Sequence, residues 1–362
     1  MRMPHVVYHR NYNIGFYGLE RLHPFDSRKY GKAWKRLNRL YLDIDDVVDV
    51  AAEIGTEPNW ENFVSQAPQS VWRSIRHHIF RHRPVPRARP KQPVSDADLQ
   101  LVHSRDYLDS LRDPNVAAAA IEIPILRSAP SSLIDRHILR PMRWATQGTI
   151  LAAELALKNG FTVNLGGGFH HAKPDAGEGF SVYSDIGIAV ASLRERGLLG
   201  ETDRIVYIDT DAHQGNGVCH VFRDDPSVFI FDIYNSMIYP SYDLAAKDRV
   251  DCAIPIDSGI TNKEYHDAIV EMLPGFLDSV GKQDVALAIY NAGTDTIDGD
   301  PLGGLRISSS EIVPRDNYIL SALQCRKIPT LMVPSGGYTR RSFELIAASV
   351  NCRLACQKLL SR

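Results

Sequence analysis

The segment IVYIDTDAHQGNG, residues 205–217, ends a hydrophobic run with side chains that could bind a metal ion. Asp211 and His213 are two positions apart, so in extended chain both point to the same side. Asp295, in NAGTD after another hydrophobic run, offers a further carboxylate. Two carboxylates and one histidine suit a catalytic Zn²⁺, because they leave a position for water and substrate. A hydrogen-bonded loop pair is the simpler interpretation of Asp211 and His213 alone.

Further residues after hydrophobic runs could complete a hydrolytic site. His170 and His171 follow three glycines, and one imidazole of such a pair could be the general base for a metal-activated water. Tyr338 follows Gly336 and Gly337 and could donate a hydrogen bond to a developing oxyanion. Outside this context, paired histidines are more often ordinary surface or core residues.

The elements that must position these residues are short hydrophobic runs alternating with helical patterns. The runs predict strands at 5–9, 162–166, 204–209, 227–233, 285–293 and 329–337. The predicted helices are 143–159, 185–196, 263–280 and 341–360. Nearly continuous Val, Ile, Leu and Phe is typical of parallel strands buried on both faces. We therefore expect one α/β domain over residues 1–362, a parallel sheet with helices on both faces, and an active site at the carboxyl ends of the strands.

Composition narrows the classes of function. The chain has 362 residues and a formal net charge of −2, which gives no general attraction to nucleic acid or membranes. No apolar run has transmembrane length, and the N-terminus lacks a signal-peptide core, so we expect an intracellular, cytoplasmic protein, or a nuclear one in a eukaryote. The five cysteines are expected to be reduced thiols. The basic segment 76–93 predicts an exposed loop or, less simply, a contact for an acidic partner.

Five motifs in order carry a family resemblance: GGGFHHA, GFSVYSD, IDTDAHQGNG, NAGTDTIDGDPLGGL and PSGGY. Together they resemble the zinc-dependent histone deacetylase family, which has an arginase-like fold. The segments YNIGFYGLERLHPFD, VHSRDYLDSL, EIPIL and DIYNSMIYP resemble its class IV branch, the histone deacetylase 11 type. The resemblance extends from about residue 5 to residue 355.

The resemblance implies a role for each matching residue. It assigns zinc to Asp211, His213 and Asp295, the general base to His171, the neighbouring charge-stabilising imidazole to His170, and polarisation of the scissile carbonyl to Tyr338. A structural monovalent cation, usually K⁺, would lie near Asp209 and Asp232, with Asp209 also orienting His170 and Asn216 pairing with His171. The residues implied to line the acyl-lysine tunnel are Gly179, Phe180, Tyr239, Gly336 and Gly337. Asp106 or Asp109 would contact the substrate backbone at the rim.

Two departures from the family pattern leave the predicted activity intact. Ser181 stands where the family usually has cysteine, and Asn216 stands where class I enzymes have aspartate. Asparagine should raise the pKa of His171 less than aspartate would. Gly215 stands where a binuclear arginase-type site would need another aspartate, which favours one metal.

The activity implied by the resemblance is hydrolysis of acyl-lysine in a protein or peptide, with long fatty acyl chains preferred and acetyl possible. A small-molecule amide, such as an acetylated polyamine, is the alternative substrate, although the sequence shows no identifiable acidic gate. A catalytically weak binding scaffold is the non-enzymatic alternative. Oligomeric state is left open by the sequence.

Overall fold

The computed structural model describes residues 5–15, 26, 28–41, 85–281 and 285–360. Residues 16–25 of the motif YNIGFYGLERLHPFD and residues 76–84 of the basic segment lie outside the described residues. Within this part of the chain, eight strands form one sheet in the order β2-β1-β3-β8-β7-β4-β5-β6. The strands are β1 (Val6–Val7), β2 (Arg87–Ala88), β3 (Phe161–Asn164), β4 (Arg204–Asp209), β5 (Val228–Asn235), β6 (Cys252–Ile256), β7 (Val285–Asn291) and β8 (Thr330–Val333).

All the strand pairs are parallel, and their register aligns the ends that carry polar residues. Asp209, the last residue of β4, pairs with Asp232 of β5 on one side and with Asn291 of β7 on the other. Asn291 pairs in turn with Val333 at the end of β8. Strands β7, β4 and β5 therefore carry their polar residues Asn291, Asp209 and Asp232 side by side, near the carboxyl ends of the strands.

Helices cover both faces of the sheet, as expected from the alternating pattern. They are α1 (Lys29–Leu40), α2 (Asp96–Gln100), α3 (Arg105–Ser110), α4 (Pro114–Ala120), α5 (Ser131–Ile134), α6 (Arg140–Asn159), α7 (Asp185–Glu195), α8 (Asn216–Val221), α9 (Leu244–Asp248), α10 (Asn262–Val280), α11 (Ile312–Cys325) and α12 (Ser342–Leu360). Helix α6 packs against β1, β3, β7 and β8, α10 packs against β5 and β6, and α11 packs against β8.

Local signals explain where the longer helices begin and end. Pro141 lies in the first turn of α6, where its missing N–H is not needed, and Gly160 ends the helix with a φ of 77°. Thr261 begins α10 in a capping box, because its hydroxyl accepts from the backbone of Glu264 and the Glu264 carboxylate accepts from the backbone of Thr261.

The six predicted strands and four predicted helices are confirmed, with shifted boundaries. Two strands were missed, because β2 has only two residues and β6 alternates between partly buried and exposed positions at the sheet edge, with only its last residue buried. The expectation of a simple loop at 76–93 was wrong for Arg87–Ala88, which pairs with β1. The Arg87 guanidinium lies 4.7 Å from the centre of the Trp34 ring, which holds this basic residue against the fold. The described cysteines are all free thiols.

Among the described residues, no helix combines the length and apolar character needed to cross a membrane.

Candidate active site

Asp211, His213 and Asp295 converge beyond the carboxyl ends of β4 and β7. All three are buried, and each offers a ligand atom within 4.8 Å of the others. Nδ1 of His213 lies 3.1 Å from Oδ1 of Asp211 and 3.0 Å from Oδ2 of Asp295. The remaining oxygens are occupied, since Oδ2 of Asp211 accepts from the backbone N–H of Gly336 and Oδ1 of Asp295 accepts from that of Ala212. These contacts turn the remaining ligand atoms, Oδ1 of Asp211, Nδ1 of His213 and Oδ2 of Asp295, toward one another.

The electrostatics of this cluster favour a cation. Burial, together with the adjacent Asp211 carboxylate, raises the pKa of Asp295 to about 7. Burial alone would lower the pKa of His213, but hydrogen bonds to the two carboxylates outweigh it and raise that pKa to about 10. Two buried carboxylates cannot share so small a space without a compensating positive charge. The donor set, two carboxylate oxygens and an imidazole nitrogen, therefore fits a divalent ion such as Zn²⁺.

Gly336 leaves room for this cluster. A Cβ at position 336 would lie 2.4 Å from Oδ2 of both Asp211 and Asp295, so any larger residue would displace the carboxylates. Gly336 also lines a small cavity beside the cluster. Gly337 instead backs onto Thr294 and Ser342, where its φ is 127°, and it does not line that cavity.

His170 and His171 lie side by side next to the Asp211–His213–Asp295 cluster, with ring centres 4.0 Å apart. Nδ1 of His170 donates to Oδ2 of Asp209 at 2.8 Å, whereas Nδ1 of His171 lies 2.8 Å from Oδ1 of Asn216. Burial alone would lower the pKa of His170, but the Asp209 and Asp211 carboxylates outweigh it and raise that pKa. The pKa of His171 is lowered well below its usual value by burial and by the nearby His170.

Asp209 lies at the centre of the polar row beneath the two histidines. Its Oδ1 accepts from the side chain of Asn291 and from the backbone N–H of Asp211, and its Oδ2 also accepts from the Tyr207 hydroxyl. Asn291 donates as well to Ser335. These contacts connect β4, β7 and the loop after β8.

Asp232 is fully buried and only partly satisfied. Its Oδ2 accepts from the backbone N–H of Gly215 at 2.9 Å, while Oδ1 has no hydrogen-bond partner among the described residues. Burial and the neighbouring Asp209 carboxylate raise the pKa of Asp232 well above its usual value. An unpartnered buried carboxylate oxygen beside a second carboxylate suits a bound cation, which fits the predicted monovalent site.

Tyr338 lies in a loop whose backbone atoms are hydrogen-bonded by two charged side chains, Lys29 and Asp300. The ammonium group of Lys29, which is buried, donates to the carbonyl oxygens of Ser335 and Gly337. Oδ2 of Asp300 accepts from the backbone N–H of Tyr338 at 2.8 Å. The Tyr338 ring centre lies 6.0 Å from that of His213. Burial, partly offset by the carboxylates of the site, lowers the pKa of Lys29 to about 8.

Two of the aromatic residues proposed to line a tunnel, Phe180 and Tyr239, lie close to other rings of the site. The ring centre of Phe180 lies 5.7 Å from that of Tyr338, and Tyr239 lies 5.0 Å from His171. Gly179 has a φ of 54°, and a Cβ there would lie 2.4 Å from Cδ2 of His171. Glycine is therefore required next to Phe180 on both conformational and steric grounds. The small cavity that Phe180 and Tyr338 line has a volume of about 20 Å³.

Asp106 and Asp109 lie on α3 and remain untested as substrate contacts. Both are exposed, and Asp109 pairs with Arg105 and Arg112. The hydroxyl of Tyr107, between them, donates to the backbone of Val182, which places α3 beside the segment that follows Phe180.

Several side chains around the site escaped sequence reasoning. Asn291 could have been noticed, because it immediately precedes the glycine motif at the end of β7. Lys29 and Asp300 carry no such signal, since each acts on the backbone of a residue distant in the sequence or in another loop. The same holds for Glu178 and Asp243, whose carboxylates meet at Asn216.

Comparison with known proteins agrees with this geometry. The histone deacetylase domain matches residues 65–354. Histone deacetylase 2 of Arabidopsis thaliana is 35% identical over 347 residues, covering 95% of this chain and 77% of that protein. The solved acetylpolyamine aminohydrolase of Burkholderia pseudomallei superposes with a TM-score of 0.62 at 18% identity, covering 95% and 96% of the two chains. An HDAC homologue complexed with SAHA superposes with a TM-score of 0.61 at 20% identity, covering 75% of this chain and 73% of that chain.

The fold and the site thus define a hydrolase that acts on amide bonds, built on the α/β sheet of the deacetylase and arginase-like folds. Within that class, the chain belongs to the histone deacetylase family.

Proposed function

We propose that this chain is a zinc-dependent lysine deacylase, which prefers long fatty acyl chains and also accepts acetyl. The observation that carries the proposal is the convergence of a buried Asp-His-Asp cluster, a histidine pair and Tyr338 on one point. The class IV preference for long chains is supported by motifs such as EIPIL and DIYNSMIYP.

Asp211, His213 and Asp295 would hold the zinc ion, and Asp209 and Asp232 would contribute to a structural K⁺ site. Bound zinc would polarise the scissile carbonyl and acidify the attacking water. His171, neutral because of its lowered pKa, accepts the proton from that water and can return it to the leaving lysine amine. Tyr338 donates its hydroxyl hydrogen bond to the developing oxyanion. Asp209 fixes the ring of His170 beside them.

Phe180 and Tyr239 would hold the lysine methylenes between aromatic rings. The cavity of about 20 Å³ is large enough for about one water molecule. A fatty acyl chain therefore requires this cavity to widen on binding, and chain-length dependence becomes the decisive measurement.

The test is hydrolysis of lysine peptides carrying acetyl, octanoyl or myristoyl groups, with zinc content assayed and with chelator as control. We expect chelator-sensitive turnover that rises with chain length. Turnover of acetyl alone would refute the long-chain preference. Tyr338→Phe should lower kcat on the order of 10²-fold, because one oxyanion donor contributes about 3 kcal/mol.

An acetylated polyamine is the second candidate substrate. Glu122 favours it, because this residue is exposed to solvent and lies near His213. The charge of His213 acts to lower the pKa of the Glu122 carboxyl. Such a carboxylate could attract an amine at the mouth of the site. Turnover of acetylspermidine but of none of the peptides would select this alternative, and zinc binding without any turnover would select the scaffold.

A further inference from the structure

Asn216 lies between the proposed general base and a pair of carboxylates. Its Oδ1 is 2.8 Å from Nδ1 of His171, and its Nδ2 donates to Oε1 of Glu178 at 2.6 Å and to Oδ2 of Asp243 at 3.1 Å. The Asn216 side chain is fully buried. All the polar atoms of this amide are therefore in contact with ionisable partners.

The two carboxylates determine which way the amide faces. An ionised carboxylate only accepts hydrogen bonds, so the end of Asn216 directed at Glu178 and Asp243 must be the NH₂ group. The carbonyl oxygen then faces His171, and because this oxygen also only accepts, Nδ1 of His171 must carry a proton. In a neutral imidazole, the lone pair is then on Nε2.

Lys173 lies against both carboxylates and stabilises their negative charge. Its ammonium group lies 3.0 Å from Oε1 of Glu178 and 3.0 Å from Oδ2 of Asp243, the same oxygens that accept from Asn216. His220 adds a contact of 2.9 Å to Asp243. Burial alone would raise the pKa of Asp243, but hydrogen bonds from His220, Asn216 and Lys173 outweigh it and lower that pKa.

We propose that Glu178 and Asp243 are positioning residues that fix the tautomer of His171 through the amide of Asn216. Their carboxylates contact Asn216 and Lys173, and they act by leaving Nε2 of His171 free to accept the proton of the attacking water. The inference rests on the proposed function for its catalytic meaning, while the tautomer itself can be measured without turnover.

The first measurement is ¹⁵N NMR of histidine-labelled, zinc-loaded protein, with the His171 signals assigned by their loss in His171→Gln. We expect the wild type to show one tautomer, with the proton on Nδ1. Glu178→Leu combined with Asp243→Ala should give a mixture of tautomers, because neither side chain then accepts from Asn216 and the amide is free to turn. Glu178→Gln should keep the wild-type tautomer, because its carbonyl oxygen still accepts from Asn216.

The second measurement is the kinetics of the same variants. Glu178→Leu should lower kcat about tenfold and the double variant further, with KM within about twofold, as expected for a loss felt only in the transition state. Glu178→Gln should recover most of kcat. Asp175→Asn, an exposed carboxylate in the same loop, is the control and should leave both constants unchanged.

Two results would overturn the inference. One is a single, unchanged His171 tautomer in Glu178→Leu/Asp243→Ala; the other is a rise in KM with kcat retained in Glu178→Leu, which would make Glu178 a charge that attracts substrate. If the double variant does not fold, the kinetics of Glu178→Leu alone decide: an unchanged kcat, with or without a rise in KM, overturns the inference. A wild-type protein without turnover would contradict the proposed function, and the NMR result would still decide the tautomer.

Discussion

His170 and His171 are adjacent in the chain with ring centres 4.0 Å apart, yet their Nδ1 atoms contact partners of different charge, a carboxylate and an amide. The Asp209 carboxylate stabilises the protonated form of His170, whereas Asn216 gives His171 no such stabilisation. The pair thereby contains one imidazole that favours the charged form and one that favours the neutral form. Such a separation of pKa values is what distinguishes acid and base roles in a shared site.

The pH dependence of activity should reflect the neutral state of His171. Because burial and the neighbouring His170 lower its pKa well below 6.5, the base is already deprotonated at pH 6.5. We expect kcat/KM to lose less than half of its plateau value at pH 6.5 and to fall only at lower pH. In His170→Gln this acid limb should move to higher pH, because one charge that lowers the pKa is removed. An acid limb at or above pH 6.5 in the wild type would contradict the assignment of His171 as base.

Asp300→Asn should weaken the hold on Tyr338. Oδ2 of Asp300 accepts from the Tyr338 backbone, and Oδ1 accepts from Leu302 and Gly303, so an amide at this position cannot serve all three donors. We expect kcat to fall about tenfold through misplacement of the tyrosine, with KM and zinc content little changed. Thermal or urea unfolding should show a loss of about 1–3 kcal/mol.

Asp298→Asn provides the matched control for that loop. Asp298 is exposed, so the same change of charge should leave kcat and stability near their wild-type values. Equal losses of kcat in the two variants would indicate a general effect of loop charge rather than the contact with Tyr338.

Gly336→Ala should reduce zinc affinity about tenfold or more, by analogy with other changes that disturb metal ligands from outside. The added methyl group would need the space now held by the carboxylates of Asp211 and Asp295. Competition with a chelating dye measures the affinity directly. In Gly275→Ala, on α10, no atom of the described residues beyond the adjoining helix backbone lies within 4 Å of the new Cβ, so zinc affinity should be unchanged and stability should rise by about 0.5–1 kcal/mol. Unaltered zinc affinity in Gly336→Ala would show that the carboxylates can move without loss.

His103 should make the fold sensitive to mild acid. Its Nε2 accepts from the backbone N–H of Ser184 and its Nδ1 faces the carbonyl of Pro174, so the folded protein needs the neutral ring. Burial lowers its pKa to about 4, against 6.5 in the unfolded chain. Stability from this residue is complete above pH 6.5 and is lost as pH falls, by about 2 kcal/mol at pH 5 and about 3 kcal/mol at pH 4.

Urea unfolding of the wild type and His103→Gln at pH 7.5 and pH 5 tests this expectation. Glutamine can make both hydrogen bonds without titrating, so the variant should lose about 2 kcal/mol less than the wild type between the two pH values. Both proteins share every other titrating group, including the zinc ligands. Parallel losses would show that His103 does not contribute to acid sensitivity.

Sequence reasoning predicted those parts of the site that follow a strand directly. The sequence was sufficient to predict Asp211, His213 and Asp295. They follow continuous apolar strands, and the edge where parallel strands end is where such sheets place their sites. The residues that hydrogen-bond around these three could not be predicted from the sequence. Lys29 acts on the backbone of Ser335, and Glu178 meets Asp243 through Asn216, so these contacts depend on how distant loops fold together. Residues whose partners are backbone atoms leave no pattern in the residue types nearby.

The position of β8 in the sheet has a consequence for synthesis of the protein. This strand comes last in the chain but lies between β3 and β7. Before Thr330–Val333 has emerged from the ribosome, any sheet built from the other strands would be divided into β2-β1-β3 and β7-β4-β5-β6, each with an open edge that invites pairing with other chains. The nascent chain therefore contains Asp211, His213 and Asp295 before it contains Tyr338, and the insertion of one four-residue strand both closes the sheet and precedes the loop that carries Tyr338.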